Sequence, residues 1–305
     1  MKPKDCPTIS IVTPSFNQAA FLGETMQSVL TQNYPNLEYV VIDGGSTDGS
    51  VDIIRRYQDR LAYWISEPDK GHLDALNKGF AKTTGEIMAW LNSDDKYAPW
   101  ALSVVGEIFS AFPQVEWITT VYPISWNERG QAVHVDFCGG FSRDFFFKGG
   151  NLPGLGWHGR RWIQQESTFW RRSLWDRAGG YIDTSLNFDV APDFELWTRF
   201  YQSADLYGVA ALLGGFRSHG DQKTAHSMDK YLAEADRVLR RSGGKPYTRA
   251  EGLLRRIFWK ILRHYSLAQI PSPVGRVLFR THVLYPTSVA VWIEKEWKIL
   301  PGFVV

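Results

Sequence analysis

Short apolar runs alternate with segments of helical periodicity along the first hundred residues of the chain. The apolar runs are too short for typical helices and are bounded by Gly, Pro, Asn, Asp or Ser, which is characteristic of buried strands. The segments between them carry their apolar residues on one side of a helix. The pattern predicts strands at 8–14, 37–42, 63–66 and 86–91 and helices at 21–31, 51–57 and 73–81.

Strands that alternate with helices in this way favour an α/β domain with a mainly parallel sheet flanked by helices. In such sheets ligands bind outside the carboxyl ends of the strands. Polar residues follow three of the predicted strands, and we therefore expect them to meet in one crevice. They are Thr13, Pro14 and Ser15, then Asp43, then Asp94 and Asp95.

The second half of the chain has a less regular pattern. Residues 134–165, rich in Gly, Phe and Trp, predict long loops lining a site. A helix or strand pair at 167–175, a helix at 194–203, strand-like sequence at 206–216 and a helix at 228–241 follow. The run 242–246 contains two Gly and a Pro and predicts a boundary. We expect a first domain at 1–242 and a basic, aromatic helical extension at 243–305, including an amphipathic helix at 250–264.

Composition and charge narrow the class of protein. The two cysteines lack metal-ligand spacing, which predicts free thiols and a reducing, cytoplasmic compartment. No apolar leader or spanning run is visible. From Arg237 onward there are 13 basic and 3 acidic residues. The residues before Arg237 include 21 basic and 29 acidic ones. A basic tail on an acidic body predicts an anionic partner for the tail, and the acidic body argues against nucleic acid.

The pair Asp94 and Asp95 is the sharpest candidate for chemistry. It follows the apolar run 87–91, and two adjacent carboxylates at the end of a buried strand are costly unless a cation shares them. Carboxylates suit a hard divalent metal that keeps positions open for phosphate oxygens. The same residues also suit a solvated turn before a helix.

Seven motifs in order extend this argument. The chain resembles glycosyltransferase family 2, the inverting nucleotide-sugar enzymes with a GT-A fold, from about residue 7 to about residue 229. The motifs are TPSFN, SVLTQNYPNLEYVVIDGGSTDGS, EPDKGHLDALNKGF, LNSDD, QQESTFWRRSLWDRAGG, DFELW and FRSHG.

The resemblance implies a nucleotide-sugar donor site. In the family the first loop lies against the nucleotide, the acid after the second strand contacts base or ribose, and the third motif adds donor groups. Many relatives carry Arg where this chain has Asp74, so a UDP-, GDP- or dTDP-linked sugar stays open. The residues this implies are Thr13, Pro14, Ser15, Asp43, Asp74 and Lys78, the last also suiting a solvated helix charge.

The resemblance also implies a divalent cation, Mn or Mg, on the diphosphate. Asp95 matches the metal ligand and Asp94 the ribose contact. His219 resembles a late histidine near the metal, which would suit Mn better than Mg, although a lone His is more often structural. Arg217 could serve the same phosphates.

The implied reaction is an in-line displacement at the anomeric carbon with inversion. Asp193 matches the base that takes the acceptor proton, with Glu195 as its nearest rival; Asp193 also suits a helix N-cap. Gln165 and Glu166 would face the sugar or acceptor. Trp170 and Trp197 are assigned to the core.

The basic tail carries Trp259, Trp292 and Trp297. Trp with nearby Lys and Arg fits an interfacial helix on the inner face of the cell membrane. The acceptor would then be a glycan or lipid-linked sugar, as in bacterial surface polysaccharide assembly. A packing arm or a homo-oligomer contact is the alternative. Two other functions are alternatives, a nucleotidyltransferase, which would need an early Gly-rich phosphate loop that residues 13–18 do not provide, and a non-catalytic sugar-binding module.

Overall fold

A computed structural model describes residues 6–152, 162–185, 191–220, 227–248, 251 and 285–304. Thirteen strands occur in these ranges. They are β1 (Ile9–Ser15), β2 (Leu37–Asp43), β3 (Tyr63–Ser66), β4 (Ile87–Trp90), β5 (Lys96–Tyr97), β6 (Trp117–Thr120), β7 (Ile124–Trp126), β8 (Ala132–Val135), β9 (Phe169–Arg171), β10 (Leu206–Val209), β11 (Gly214–Arg217), β12 (Tyr285–Ile293) and β13 (Glu296–Val304).

Eight α-helices lie in the same described ranges. They are α1 (Ala19–Leu30), α2 (Ser50–Tyr57), α3 (His72–Phe80), α4 (Ala101–Ala111), α5 (Arg143–Phe147), α6 (Arg172–Arg177), α7 (Pro192–Tyr201) and α8 (Met228–Arg241). Within the described residues, none of the helices has the length and apolarity needed to cross a membrane.

The main sheet has nine strands in the order β13-β12-β10-β6-β9-β4-β1-β2-β3. Strands β1 to β4, β6, β10 and β12 pair in parallel where they are neighbours, whereas β9 and β13 run antiparallel to theirs. A smaller sheet, β5-β11-β7-β8, lies beside it. The expected mixed, mainly parallel α/β architecture is confirmed.

Helix α3 packs closely on the parallel core. A Cβ at Gly79 would lie 2.3 Å from Cγ1 of Val12 on β1, so only glycine lets the helix approach this near. Aromatic rings fill the middle of the sheet. Trp90 stacks on Trp197 with centroids 5.9 Å apart, and Trp170 meets both rings edge-on. Trp170 and Trp197 are therefore core residues, as predicted.

The predicted elements of the first hundred residues all exist, with ends that differ by one or two residues. The segment 206–216 is two strands in different sheets, and 167–175 contains β9 and most of α6. The loop prediction for 134–165 is partly wrong, because α5 forms there and β8 enters its first residues. Residues 153–161 and nearly all of the predicted helix 250–264 lie outside the described residues.

The C-terminal prediction needs a correction. Residues 285–304 form a hairpin of two nine-residue strands, not helix. Strand β12 pairs in parallel with β10, so the hairpin extends the main sheet of the first predicted domain. Alternating β-branched residues in 287–293 suit a strand, and the positive φ of Glu294 and Lys295 makes the turn. The domain boundary at residue 243 stays a prediction.

Candidate active site

The carboxyl end of β2 is organised by Asp43. Its side chain is fully buried, and its two oxygens accept hydrogen bonds from the backbone of Gly45 and Ser46 and from the hydroxyls of Ser46 and Ser66. Three of these donors bond to Oδ2 and only the Ser46 hydroxyl bonds to Oδ1, which can accept a further hydrogen bond. Asp43 thus organises its loop, and its contact with a base or ribose stays a prediction.

The end of β1 has a different character. The Oγ of Thr13 bonds to the hydroxyl of Tyr39 inside the core, at 3.0 Å. The Oγ of Ser15 is buried and has no hydrogen-bond partner among the described residues. Buried hydroxyls nearly always have a partner, so a ligand group is expected there. Phe16, the next residue, is 60% exposed although it is aromatic.

A second strand-end acid lies near Gly44. A Cβ built on Gly44 would lie 3.0 Å from Oδ2 of Asp69, so the missing side chain makes room for that carboxylate. The other oxygen of Asp69 accepts the Gly71 N–H at 2.7 Å. Asp69 belongs to the third motif, from which donor groups were expected, whereas sequence reasoning did not single out Phe16.

The turn after β4 presents Asp94 and Asp95. Helix α1 holds it through Thr25, whose hydroxyl lies 2.9 Å from the carbonyl of Ser93 and 2.7 Å from that of Asp95. The side chain of Asn92 bridges to Asp95 at 3.2 Å and to His72 at 3.1 Å. Asn92 was also missed, since an amide among four polar residues gives no separate signal.

Arg217 locks this turn to β11. Its backbone N–H donates to Asp95 at 2.8 Å, and its guanidinium donates to the Asp94 carbonyl and to the carboxylate of Glu24. The residue is 1% exposed. Through these partners Arg217 positions the two aspartates, and its contact with the phosphates stays a prediction.

Three carboxyl groups converge at the turn. Asp95 and Glu166 are buried and lie within hydrogen-bonding contact of each other. Burial raises the pKa of Asp95 well above its usual value, and the charges of Glu166 and Asp94 add to the effect. Burial likewise raises the pKa of Glu166, helped by Asp193 and Asp94. Like charges this close require a shared proton or a cation.

His219 completes the cluster. Its Nε2 lies 3.1 Å from Oδ2 of Asp94, and its ring packs on Phe21 with centroids 4.3 Å apart. Among the described residues, no group of three or more His, Cys, Asp or Glu side chains has an arrangement that could hold a metal by itself.

Asp193 and Glu195 differ in their surroundings and in their bonding partners. Asp193 is the second residue of α7, after Pro192, and not the N-cap. Burial raises its pKa to about 6, against opposing hydrogen bonds from the Phe194 N–H and the Tyr231 hydroxyl. Glu195 is held by Arg199 in a two-point ion pair at 2.8 and 2.7 Å. Both oxygens of Glu195 are engaged, so it is a poor base.

The remaining predicted residues make hydrogen bonds or ion pairs with neighbouring elements of the fold. Gln165 donates to the Trp90 carbonyl and accepts from Asn92, which ties the turn before β9 to β4. Lys78 pairs with Glu67 and Asp74 on the outer side of α3. The structure therefore brings together Asp94, Asp95, Glu166, Asp193, Arg217 and His219, and leaves Asp74, Lys78 and Glu195 in ion pairs of their own.

Comparison with known proteins agrees with this geometry. The sequence profile described as "Glycosyl transferase family 2" matches residues 10–169, which is more than half of the chain and includes β1 to β4, Asp94, Asp95 and Glu166. The chain belongs to glycosyltransferase family 2.

Related sequences support the assignment. An uncharacterized glycosyltransferase of Mycobacterium tuberculosis is 31% identical over 197 residues, covering 63% of this chain and 68% of that protein. The putative teichuronic acid biosynthesis glycosyltransferase TuaG of Bacillus subtilis is 36% identical over 94 residues, covering 30% and 37%. This family 2 member is thus a glycosyltransferase, which excludes the nucleotidyltransferase and the sugar-binding module.

Solved structures confirm the GT-A fold. S. aureus TarS 1–349 in complex with UDP-GlcNAc superposes with a TM-score of 0.57 at 15% identity, over 84% of this chain and 71% of that one. The mannosyltransferase PcManGT of Pyrobaculum calidifontis, in complex with GDP-Man and Mn²⁺, gives 0.50 at 19% identity, over 92% and 87%.

Proposed function

We propose that this glycosyltransferase moves a sugar from a nucleotide diphosphate to an acceptor hydroxyl by one inverting displacement, with Asp193 as the base. The observation that carries the proposal is the placement of Asp193. Its carboxylate is partly buried at the start of α7 and close enough to Glu166 for their charges to interact. An acceptor hydroxyl is a weak nucleophile, and a carboxylate with a pKa of about 6 is a better proton acceptor than an ordinary Asp.

The donor nucleotide is proposed to lie over the ends of β1, β2 and β3. Ser15 offers a buried hydroxyl that lacks a partner among the described residues, and the exposed ring of Phe16 offers a flat surface for a base. Asp69, beside Asp43, supplies an acceptor for base or ribose donors at this edge. TarS and PcManGT were solved with UDP-GlcNAc and GDP-Man, and both base types stay candidates here, as does dTDP.

A divalent cation, Mn or Mg, fits the acidic cluster. Asp95 and Asp94, with His219 beside them, would hold it, and the buried contact between Asp95 and Glu166 calls for added positive charge. Such ions need only one or two protein carboxylates when phosphates supply other ligands. When bound, the cation would neutralise the leaving diphosphate.

The decisive experiment replaces Asp193 with Asn. Transfer should fall at least roughly a hundredfold, because a general base contributes about that much, while nucleotide affinity measured by calorimetry stays within about twofold. Asp176→Asn is the matched control, since Asp176 is an exposed acid on α6. Asp193→Asn with ordinary transfer rates would refute the base assignment.

The donor proposal has its own test. UDP, GDP and dTDP are titrated with Mn²⁺ into the wild type, Asp69→Asn and the exposed control Asp59→Asn. Asp69→Asn should weaken the preferred nucleotide by roughly tenfold, the worth of a hydrogen bond to a charged group. Equal affinity in both variants would remove Asp69 from the donor site.

A glycan or lipid-linked acceptor on the cytoplasmic face of the membrane is proposed from the basic C-terminal region. Trp292, at the end of β12, is 53% exposed, and the exposed Lys295 lies in the turn that follows, whereas Lys298 pairs with Glu294 and Glu296. Tryptophan and cations together favour an anionic lipid surface. Trp292→Ser should reduce flotation with vesicles containing anionic lipid, compared with the wild type. Unchanged flotation would refute the role of this hairpin.

A further inference from the structure

We propose that helix α8 is a positioning element for catalysis, in which Tyr231 and Glu234 together hold the start of α7 and the Asp193 carboxylate. The inference rests on the proposed role of Asp193 as the base. It concerns residues beyond the matched segment 10–169, and neither Tyr231 nor Glu234 carries a motif in the sequence.

Tyr231 and Glu234 are three residues apart on α8, so they lie on the same face of the helix. Both are buried, with 8% and 4% of their surface exposed, beside the apolar residues Ala235, Val238 and Leu239. A buried hydroxyl and a buried carboxylate are costly unless they make hydrogen bonds. Their partners therefore indicate why polar groups occupy this helix face.

Glu234 bonds to the residue that precedes α7. Its Oε2 accepts the backbone N–H of Ala191 at 3.1 Å. In a capping box, the third residue of a helix provides this acceptor through a Glu or Gln side chain. Here the third residue is Phe194, whose side chain cannot accept a hydrogen bond. The N-cap residue Ala191 has no polar side chain to cap the helix either. Glu234 thus replaces the missing local cap from a neighbouring helix.

Tyr231 bonds to the carboxylate itself. Its hydroxyl lies 3.4 Å from both oxygens of Asp193. The two equal distances place the hydroxyl on the midline of the carboxylate, which restrains its rotation. Long catalytic hydrogen bonds of this kind often tighten when substrate binds. Helix α8 therefore holds the backbone of Ala191, just before α7, and the side chain of Asp193, the second residue of α7.

The groups that face Asp193 define a testable electrostatic effect. They are Tyr231 on α8, Glu166 in the turn before β9 and the Phe194 N–H of α7, while Glu234 on α8 acts on Tyr231. Burial raises the pKa of the Tyr231 hydroxyl well above its usual value, so it stays a proton donor. Donation from Tyr231 lowers the pKa of Asp193 and opposes the effect of burial. Removing the hydroxyl should move the acidic limb of the rate profile to higher pH.

The test uses the full chain and Tyr231→Phe, which keeps the ring. We expect single-turnover transfer to fall roughly tenfold, donor KM to stay within about twofold, and the acidic limb to shift upward. Tyr247→Phe is the matched control, because the Tyr247 hydroxyl bonds to Tyr285 instead. In the background of Asp193→Asn, Tyr231→Phe should cause no further loss, since residues that act as a unit are not additive.

Glu234 provides the second readout. Glu234→Gln keeps an acceptor oxygen and should retain most of the rate that Glu234→Ala loses. This pair also decides the matter if Tyr231→Phe fails to fold. A wild-type rate and pH profile in Tyr231→Phe, or equal rates in the two Glu234 variants, would overturn the proposal. Either result leaves the base assignment intact, because that assignment fails only if Asp193→Asn itself transfers sugar.

Discussion

Replacing Asp193 with Asn should stabilise the protein while it abolishes transfer. The pKa of Asp193 rises from 3.8 to about 6, and burial is the main cause. The folded state therefore binds a proton more tightly than the unfolded chain does. The stability associated with the protonated carboxyl is present below pH 3.8 and is lost as the pH rises through about 6.

The magnitude follows from this difference in pKa. One pKa unit corresponds to about 1.4 kcal/mol, so the buried charge costs about 3 kcal/mol near pH 8. Asn has nearly the same shape and carries no charge. Asp193→Asn should accordingly raise the free energy of unfolding by up to about 3 kcal/mol near pH 8, and most of this gain should disappear near pH 4.

Urea unfolding of both proteins at the two pH values measures the effect. Taking the difference between proteins cancels the titration of all other groups. Asp176→Asn should show no such pH dependence, because its carboxylate is exposed. If Asp193→Asn gains nothing near pH 8, or gains the same amount at both pH values, Asp193 is not a desolvated charge and the reasoning fails.

Three further predictions concern the site and its support. Asp95→Asn should weaken nucleotide diphosphate binding roughly tenfold when Mn²⁺ is present and hardly at all in chelator, as calorimetry can measure. Gly79→Ala should destabilise by about 1–3 kcal/mol in urea, because the new Cβ would lie 2.3 Å from Val12; an unchanged midpoint would contradict the close packing of α3. Arg217→Met should cost about 3 kcal/mol of stability and slow transfer. Glu24→Gln should do less, since the side chain of Glu24 is 39% exposed and Gln keeps an oxygen that accepts from the guanidinium.

Several site residues were predictable because they sit at strand ends. The strands β1, β2 and β4 appear in the sequence as apolar runs, and parallel strands place their carboxyl ends at one edge. Asp94 and Asp95 could be located in this way, and Glu166 and Asp193 through the order of the family motifs. In the structure the charges of Asp94, Asp95 and Glu166 interact with one another, and the charge of Asp193 interacts with that of Glu166.

Other site residues show what a motif does not encode. Asp43, Arg217 and Glu195 occupy motif positions, and in the structure each makes hydrogen bonds to neighbouring side chains. A sequence pattern indicates which groups a residue carries, but not whether those groups are already bonded. The strand hairpin 285–304 was missed because its tryptophans, within a C-terminal region that is basic as a whole, suit an interfacial helix equally well.

The sequence by itself determined the α/β class, the strand-end placement of Asp94 and Asp95 and the position of Asp193 near a helix start. These features depend on local periodicity and short motifs, which are visible in the order of residues. Only the tertiary structure decided which polar groups form hydrogen bonds within the protein and which remain available to a ligand. It also joined α8 to α7 through Tyr231 and Glu234, a contact between residues about forty positions apart that no local pattern encodes.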